Sequence, residues 1–243
     1  DAFGIRSKWY AGGGELTSQL GAVVAAANAV RTGQARHVMC FRTVYEAAAM
    51  ARPEEFPPLK RESVDSFSQW LAPFNAISAA NWIAQYAMRH VKKYGLTREQ
   101  LAQIAITGCA NAVLNPRAIV KKPLTMDQYM SARLVTTPFC LYDCDRFSDA
   151  STVLIVSAGD AVDEVKCKPI RIAAMAGSVD RWSWDQAEWP ASYDTGPDLW
   201  KRTDYKPKDV DTVQFYDGFS FLTLTWLEGL GFCGKGEAGK FIE

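Results

Sequence analysis

The sequence lacks the residues that several common kinds of site require. It has only two histidines, His37 and His90, and no cysteine and histidine spacing that suits zinc. Its 27 basic residues are balanced by 27 acidic ones, so no charge excess indicates nucleic acid or an anionic membrane as a partner. No apolar run approaches the roughly 20 residues of a membrane-spanning helix. The sequence therefore predicts no structural metal, no nucleic-acid partner and no membrane segment.

The six cysteines are scattered and do not form the framework of a small disulfide-stabilised domain. A chain of 243 residues with 48% hydrophobic residues is large enough to bury a core without cross-links. We therefore expect reduced thiols and a cytoplasmic location. The chain opens at Asp1 without a basic and apolar leader, which predicts no secretory signal, and we expect residues to be missing upstream.

Five segments carry the apolar spacing or the end signals of helices. Glycines follow three of them and supply stops, and a Thr with a Gln three residues later forms a capping box. The predicted helices are 18–32, 76–94, one that opens at Thr97 and ends before Pro116, a shorter one from Thr125, and 221–230.

Four short apolar or β-branched runs predict strands, at 37–41, 152–157, 170–174 and 210–215. The first three have the character of strands in a covered sheet. Between them, residues 52–73 contain four prolines and mixed charge, which excludes a long helix or a central strand there. Helices alternating with strands predict an α/β fold.

Residues 180–208 concentrate aromatic side chains without a clean period, which predicts a long loop. Two interpretations stay open for it: a surface lobe pinned by tryptophans, which we favour, or a binding surface, because Trp and Tyr dominate interfaces. The aromatic residues are Trp182, Trp184, Trp189, Tyr193, Trp200 and Tyr205.

Four motifs in chain order resemble the thiolase superfamily, and specifically its branch of sterol-carrier and lipid-transfer thiolase-like proteins. The most specific is Phe215-Tyr216-Asp217-Gly218-Phe219, followed by Leu227-Glu228-Gly229-Leu230-Gly231-Phe232-Cys233 and Gly236-Glu237. The others are Gly12-Gly13-Gly14 before the first helix, Asn111 to Pro116, and Leu141 to Asp145 with Asp149-Ala150-Ser151.

This resemblance implies a layered α/β fold of two related halves that acts on acyl-CoA. Relative to the family pattern the chain is incomplete at both ends, and we expect a longer natural protein. The implied first half comprises about residues 1–51 and 134–175, an excursion over the active site about 52–133, and the start of the second half about 176–243. No cofactor is implied, since a CoA thioester is the substrate.

One departure from the family concerns the nucleophile. A working thiolase needs a cysteine at a helix N-terminus, where the helix dipole and backbone amides stabilise thiolate and thioester. The matching stretch, 12–18, contains none: Gly13, next to Gly14, takes the nucleophile position, and Ser18 lies about one turn too far along. We therefore expect no acyl-enzyme chemistry.

A second departure is Tyr216, at a position where this branch of thiolases carries His and others carry Asn. A phenol there resembles the steroid side-chain-cleaving aldolases, which implies retro-aldol cleavage of a β-hydroxyacyl-CoA with Tyr216 as acid or base. Asp217 either orients Tyr216 or caps the following helix, and capping is favoured. Cys144 and Cys233 lack flanking basic residues, so we interpret them as structural.

Two alternatives to the lyase remain: a non-catalytic thiolase-like protein that binds acyl-CoA or lipid or scaffolds a partner, and a 3-ketoacyl-CoA thiolase. The resemblance also implies a homodimer that carries a small acyl-CoA-binding protein of the OB-fold kind as second subunit. If the aromatic segment faces that partner, replacement of Trp184 or Trp189 by Ala should weaken the complex.

Overall fold

The chain divides into two compact units. The computed structural model describes residues 7–12, 19–55, 68–76, 78–177 and 190–243. The first unit consists of Asp1–Leu59 and Phe147–Ala173, and the second of Lys60–Arg146 and Ala174–Glu243. Part of the second unit is thus inserted, along the chain, between the two segments of the first.

Helices and strands alternate irregularly through the described residues. In chain order they are α1 (Gln19–Arg31), β1 (His37–Tyr45), α2 (Glu46–Ala51), α3 (Ser68–Leu71), α4 (Ala79–Tyr94), α5 (Arg98–Leu114), α6 (Met126–Met130), β2 (Leu134–Thr136), β3 (Phe139–Cys140), β4 (Asp149–Ser157), α7 (Pro190–Trp200), α8 (Ser220–Gly229) and α9 (Ala238–Phe241), with short 3-10 turns at Ala72–Phe74, Leu141–Asp143, Gly159–Glu164 and Pro207–Asp209.

The first unit is built on the antiparallel pair β1 and β4, in register from His37 opposite Ser157 to Tyr45 opposite Asp149. Both strands confirm their predictions and extend beyond them. The expectation of a covered sheet is wrong, because only Val38 of β1 is buried and β4 is largely exposed. The core of this unit is small, since its buried cluster among the described residues consists of Ala26 and Ala29 of α1 with Val38.

The strand predicted over 170–174 is absent, and Ile170 is 95% exposed. A β-strand needs a neighbour that completes its backbone hydrogen bonds, and in the described part of the chain the pair β1–β4 has no third strand. The strand predicted over 210–215 is absent for the same reason, since that segment forms no ladder. A short run of apolar or β-branched residues was therefore not enough to make either segment a strand.

The second unit holds the larger core, where α4, α5, α6 and α8 meet the hairpin of β2 and β3. Local signals placed its helices correctly. Gly95 ends α4 with a positive φ of 77°, and Thr97 caps α5 by accepting from the Gln100 amide at 3.2 Å. Thr125 caps α6 in the same way, and α8 lies within one residue of its prediction. No helix of the described ranges is long and apolar enough to cross a bilayer.

The long loop predicted over 180–208 is partly wrong, because α7 occupies Pro190–Trp200. Packing on α8 explains this helix despite its internal Gly196 and Pro197. The Trp200 Nε1 donates to the Leu230 carbonyl at 2.8 Å, and Gly196 lies against the backbone of Gly229 so closely that a Cβ would overlap its carbonyl oxygen. Three of the predicted loop aromatics, Trp182, Trp184 and Trp189, lie outside the described residues.

Candidate active site

The turn Tyr216–Gly218 leads directly into α8, and the loop after β3 holds it in place. The Asp145 N–H donates to the Gly218 carbonyl at 3.1 Å, and Cys144 forms an isolated antiparallel bridge with Phe219. The Phe219 ring also stacks on Phe139, with centroids 5.7 Å apart. The backbone of the turn is therefore anchored at its C-terminal side.

The side chain of Tyr216 bends back over Gly218 while remaining 64% exposed. A Cβ placed at residue 218 would lie 2.5 Å from the Tyr216 Oη and 2.7 Å from its Cζ. Real Cβ atoms are not found so close to another heavy atom, so a larger residue at 218 would displace the phenol. Gly218 is thus what lets the Tyr216 ring occupy this position, and no described residue hydrogen-bonds the hydroxyl.

A buried carboxylate, Asp143, lies beneath this turn with 2% of its surface exposed. It accepts from the Tyr129 hydroxyl at 2.7 and 2.8 Å, from the Cys140 N–H at 2.7 Å and from the Ser220 hydroxyl. Burial, with the Asp143 charge beside it, raises the pKa of Tyr129 far above its ordinary value. Tyr129 is therefore a permanent neutral donor.

The capping role expected for Asp217 is wrong. Phe219 is the N-cap residue of α8, and it makes no side-chain cap, while Asp217 is exposed two positions earlier. The carboxylate bonded to the first residue of this helix is Asp143, which reaches Ser220 across 77 positions of sequence. Sequence reasoning missed Asp143 and Ser220 as support for the turn, since both appeared only within the motifs.

A second buried carboxylate, Glu228, lies near the other end of α8. Its Oε1 is 3.1 Å from the His90 Nε2, and its Oε2 accepts from the Tyr193 hydroxyl at 2.6 Å. The Ala238 N–H donates to it at 3.2 Å. Burial tends to raise the pKa of Glu228, but hydrogen bonds from His90, Tyr193 and the Gly236 backbone outweigh it, so the pKa is lowered.

The cysteines near the turn are not activated. Burial, followed by the charges of Asp143 and Asp145, raises the pKa of Cys144 to about 11. Burial and the charge of Glu228 likewise raise the pKa of Cys233 to about 11. Nucleophilic thiols have lowered pKa values, so the structural interpretation of both is confirmed.

Two of the predicted site residues, Gly13 and Gly14, lie outside the described residues. Neighbouring Gly12 is described, and a Cβ there would lie 2.5 Å from the Tyr10 Oη. In the ranges that the structure describes, no group of three or more His, Cys, Asp or Glu side chains is arranged to hold a metal ion.

Comparison with known proteins agrees with the motifs. Residues 185–243 match the family described as Thiolase C-terminal domain-like. A steroid side-chain-cleaving aldolase of Thermomonospora curvata is 29% identical over 236 residues, which are 91% of this chain and 60% of that protein. A 17-hydroxy-3-oxo-4-pregnene-20-carboxyl-CoA lyase of Mycobacterium tuberculosis is 31% identical over 248 residues, with coverage of 97% and 63%.

The solved structure of an Ltp2-ChsH2(DUF35) aldolase superposes with a TM-score of 0.77 at 30% identity, covering 90% of this chain and 58% of that one. The chain spans about 60% of the length of the curated relatives that it matches. The fold, the family match and the relatives agree with one another and confirm the resemblance drawn from the motifs. The chain thus matches the thiolase C-terminal domain-like family over residues 185–243 and is similar over nearly its whole length to the steroid side-chain-cleaving aldolases.

Proposed function

We propose that the protein is a carbon–carbon lyase that cleaves a β-hydroxyacyl-CoA, a steroid side-chain thioester, into a ketone and a shorter acyl-CoA. The observation that carries this proposal is the phenol of Tyr216, exposed on a glycine turn at the N-terminus of α8. Both curated relatives described above have lyase or aldolase names, and the second names a CoA thioester.

The retro-aldol step needs one proton transfer at each end of the breaking bond. A base takes the β-hydroxyl proton, the Cβ oxygen becomes a ketone, and the electrons of the Cα–Cβ bond pass to the thioester as an enolate. A proton at Cα then gives the shorter acyl-CoA. A phenol can serve as donor at its ordinary pKa of about 10, whereas service as base requires neighbours that favour phenolate. The N-terminus of α8, four residues along, supplies a positive dipole end that favours negative charge.

Replacement of Tyr216 by Phe tests this function. The change removes one exposed oxygen, so folding should be retained while turnover of a steroid β-hydroxyacyl-CoA drops by about 10²- to 10⁴-fold. Tyr205→Phe is the matched control, because Tyr205 is a comparably exposed tyrosine at 59%, and it should leave turnover unchanged. Equal activity of Tyr216→Phe and the unmodified protein would refute the assignment.

The absence of cysteine in residues 12–18 also supports a second candidate, a non-catalytic protein that binds acyl-CoA or lipid. Mass spectrometry of the acyl-CoA after incubation separates the two, because only the lyase produces the shortened thioester. Intact protein mass in the same samples tests the third candidate, a thiolase. We expect no acyl adduct, since the pKa values of Cys144 and Cys233 are raised.

We further propose a homodimer with a small OB-fold acyl-CoA-binding subunit, in the cytoplasm and without a cofactor. The similar aldolase structure has two named components, which supports a second subunit. Size-exclusion chromatography with light scattering measures the stoichiometry directly, and a monomer that binds no such subunit would contradict it. The roles of Trp184 and Trp189 at the contact stay predictions, to be tested by co-purification of their Ala variants.

A further inference from the structure

The loop between β3 and β4 holds the turn of Tyr216 at three consecutive residues. The Asp145 N–H bonds the Gly218 carbonyl at 3.1 Å, Cys144 bridges Phe219, and the Asp143 carboxylate accepts from the Ser220 hydroxyl. Two of these contacts are made by the backbone and persist in most variants. Only the third depends on specific side chains at both ends.

The contact between Asp143 and Ser220 is chemically specific. Both residues are 2% exposed, and the donors to Asp143 at Tyr129, Cys140 and Ser220 are all neutral. A carboxylate buried without a salt-bridge partner is costly and persists where hydrogen bonds satisfy it. Because Asp143 is buried, no water can replace a hydrogen-bond donor that is removed, so the loss of one donor leaves the carboxylate short of one hydrogen bond.

The same contact sets where the phenol can lie. Ser220 is the first residue of α8, four positions after Tyr216, and the Tyr216 ring lies against Gly218, between the two. If Ser220 leaves Asp143, then residues 218–220 lose one of their three attachments, and the Tyr216 ring loses the fixed glycine on which it rests. Displacements of about 1 Å at a reacting group are known to cost on the order of 10²-fold in rate.

We propose that Asp143 and Ser220 are positioning residues for Tyr216, which they hold in place through the turn without contacting the substrate. This rests on the proposed function for its effect on turnover, whereas the geometry of the turn can be tested without any reaction. The predicted consequence is a turn that opens more often when the Ser220 hydroxyl is removed.

Native-state hydrogen exchange of the Asp145 amide reports this opening directly, because that N–H is bonded to the Gly218 carbonyl. Ser220→Ala should speed its exchange by about tenfold or more. The matched control is Thr225→Val, which removes another buried hydroxyl of α8 that bonds only the carbonyl of Leu222 in its own helix, at 2.8 Å. An Asp145 amide that exchanges equally fast in the unmodified protein and in Ser220→Ala would overturn the proposal.

Kinetics test the second half of the proposal. We expect Ser220→Ala to lower kcat by about tenfold with KM unchanged, Ser220→Thr to restore most of it, and Thr225→Val to have no effect. In a Tyr216→Phe background, Ser220→Ala should change the residual rate no further, because it acts through that phenol. Asp143→Asn keeps the shape of the side chain, and we expect it to lower kcat as Ser220→Ala does.

The two proposals fail in different ways. A full-length protein that shows no lyase turnover refutes the proposed function, and the exchange rates still decide whether the turn depends on Ser220. Turnover that is lost in Tyr216→Phe but unchanged in Ser220→Ala refutes the positioning role alone. If Asp143→Asn fails to fold, the Ser220 variants carry the test, since they leave the other donors to Asp143 in place.

Discussion

The two ends of α8 each meet a buried carboxylate, and the two carboxylates are satisfied differently. At the N-terminus Asp143 is held by neutral hydroxyl and amide donors. Near the C-terminus Glu228 is held by His90 and Tyr193 together with backbone amides. The helix dipole explains part of this difference, because it favours an anion at the first end and opposes one at the second.

The two carboxylates also differ in which parts of the second unit they connect. Glu228 joins four helices of the second unit, since it lies on α8 and its partners lie on α4, on α7 and at the first residue of α9. Asp143 instead bonds the Cys140 amide, Ser220 at the start of α8 and the Tyr129 hydroxyl of α6, and its link to Ser220 reaches the candidate turn. Glu228 should therefore govern the stability of the second unit, whereas Asp143 should govern the local geometry of the turn.

The largest expected effect follows from neutralising Glu228. Glu228→Gln removes the charge from a buried pair with His90, whose Nδ1 already has no hydrogen-bond partner in the described structure. Each hydrogen bond to this buried carboxylate contributes about 1.5 to 3 kcal/mol, and because Gln has one acceptor oxygen in place of two, the loss of two of them should lower the free energy of unfolding by about 3 kcal/mol or more, measured by urea denaturation. Glu237→Gln is the control, because Glu237 is exposed, and it should change stability by only about 0.5 kcal/mol. Equal losses in both variants would break the comparison.

A smaller effect should follow from pushing α7 away from Glu228. In Gly196→Ala the new Cβ would overlap the Gly229 carbonyl and lie 2.8 Å from its carbon, and backbone atoms cannot yield as a flexible side chain does. Overpacking of this kind costs about 1 to 3 kcal/mol. The opposite sign is expected for Gly108→Ala in α5, where a Cβ would have no atom within 4 Å, since alanine stabilises a helix interior by about 0.5 to 1 kcal/mol. Thermal unfolding of both variants checks the signs.

The dependence of stability on pH measures how much Tyr193 contributes to the lowered pKa of Glu228. The pKa of Glu228 is lowered below its ordinary 4.5 in the folded state. The ionised carboxylate therefore contributes its full stabilisation of the fold above pH 4.5, and this contribution is lost as the pH falls through the lowered pKa of the folded state. Tyr193→Phe removes one hydrogen bond that lowers this pKa and costs about 1.5 kcal/mol at pH 7. The variant should therefore lose less stability than the unmodified protein between pH 5 and pH 3, in urea titrations at each pH. Parallel curves would show that Tyr193 does not contribute to the lowering.

The smallest expected effects are changes in the pKa of Cys144 and Cys233. The pKa of each thiol is raised in part by the charge of one of the two carboxylates. The charge of Asp143 helps to raise the pKa of Cys144, and that of Glu228 helps to raise the pKa of Cys233. Glu228→Gln should lower the pKa of Cys233 and leave Cys144 unchanged, while Asp143→Asn should do the reverse. A shift of half a pKa unit gives about threefold more thiolate. Alkylation rates of the two peptides measured against pH would detect it, and a change at both thiols in either variant would contradict the separation.

The sequence was sufficient wherever neighbours along the chain decide the structure. Gly95 in the left-handed region ends α4, and the Thr97 and Thr125 capping boxes open α5 and α6. Each signal acts within a few residues, so no tertiary partner was needed. The motif around Tyr216 also predicts a catalytic group, and that role stays a prediction.

The sequence failed where distant segments decide. A strand was predicted over 210–215 from its apolar and β-branched residues, yet in the described structure it lacks a strand to pair with. The helix at Pro190–Trp200 contradicts its own propensities and depends on the fit of Gly196 against Gly229. The support of the turn by Asp143 joins residues 77 positions apart, and no local pattern predicts such a contact.

The antiparallel pairing of β1 with β4 has a consequence for how the chain is made. His37 pairs with Ser157, so 120 positions separate the partners, and most of that interval belongs to the other unit. A ribosome that adds 5 to 20 residues per second needs about 6 to 24 s to synthesise that interval. During that time the backbone of β1 is unpaired, and an unpaired strand is a template for aggregation. Synthesis therefore exposes this strand for far longer than a hairpin strand, and chaperone demand should concentrate on β1.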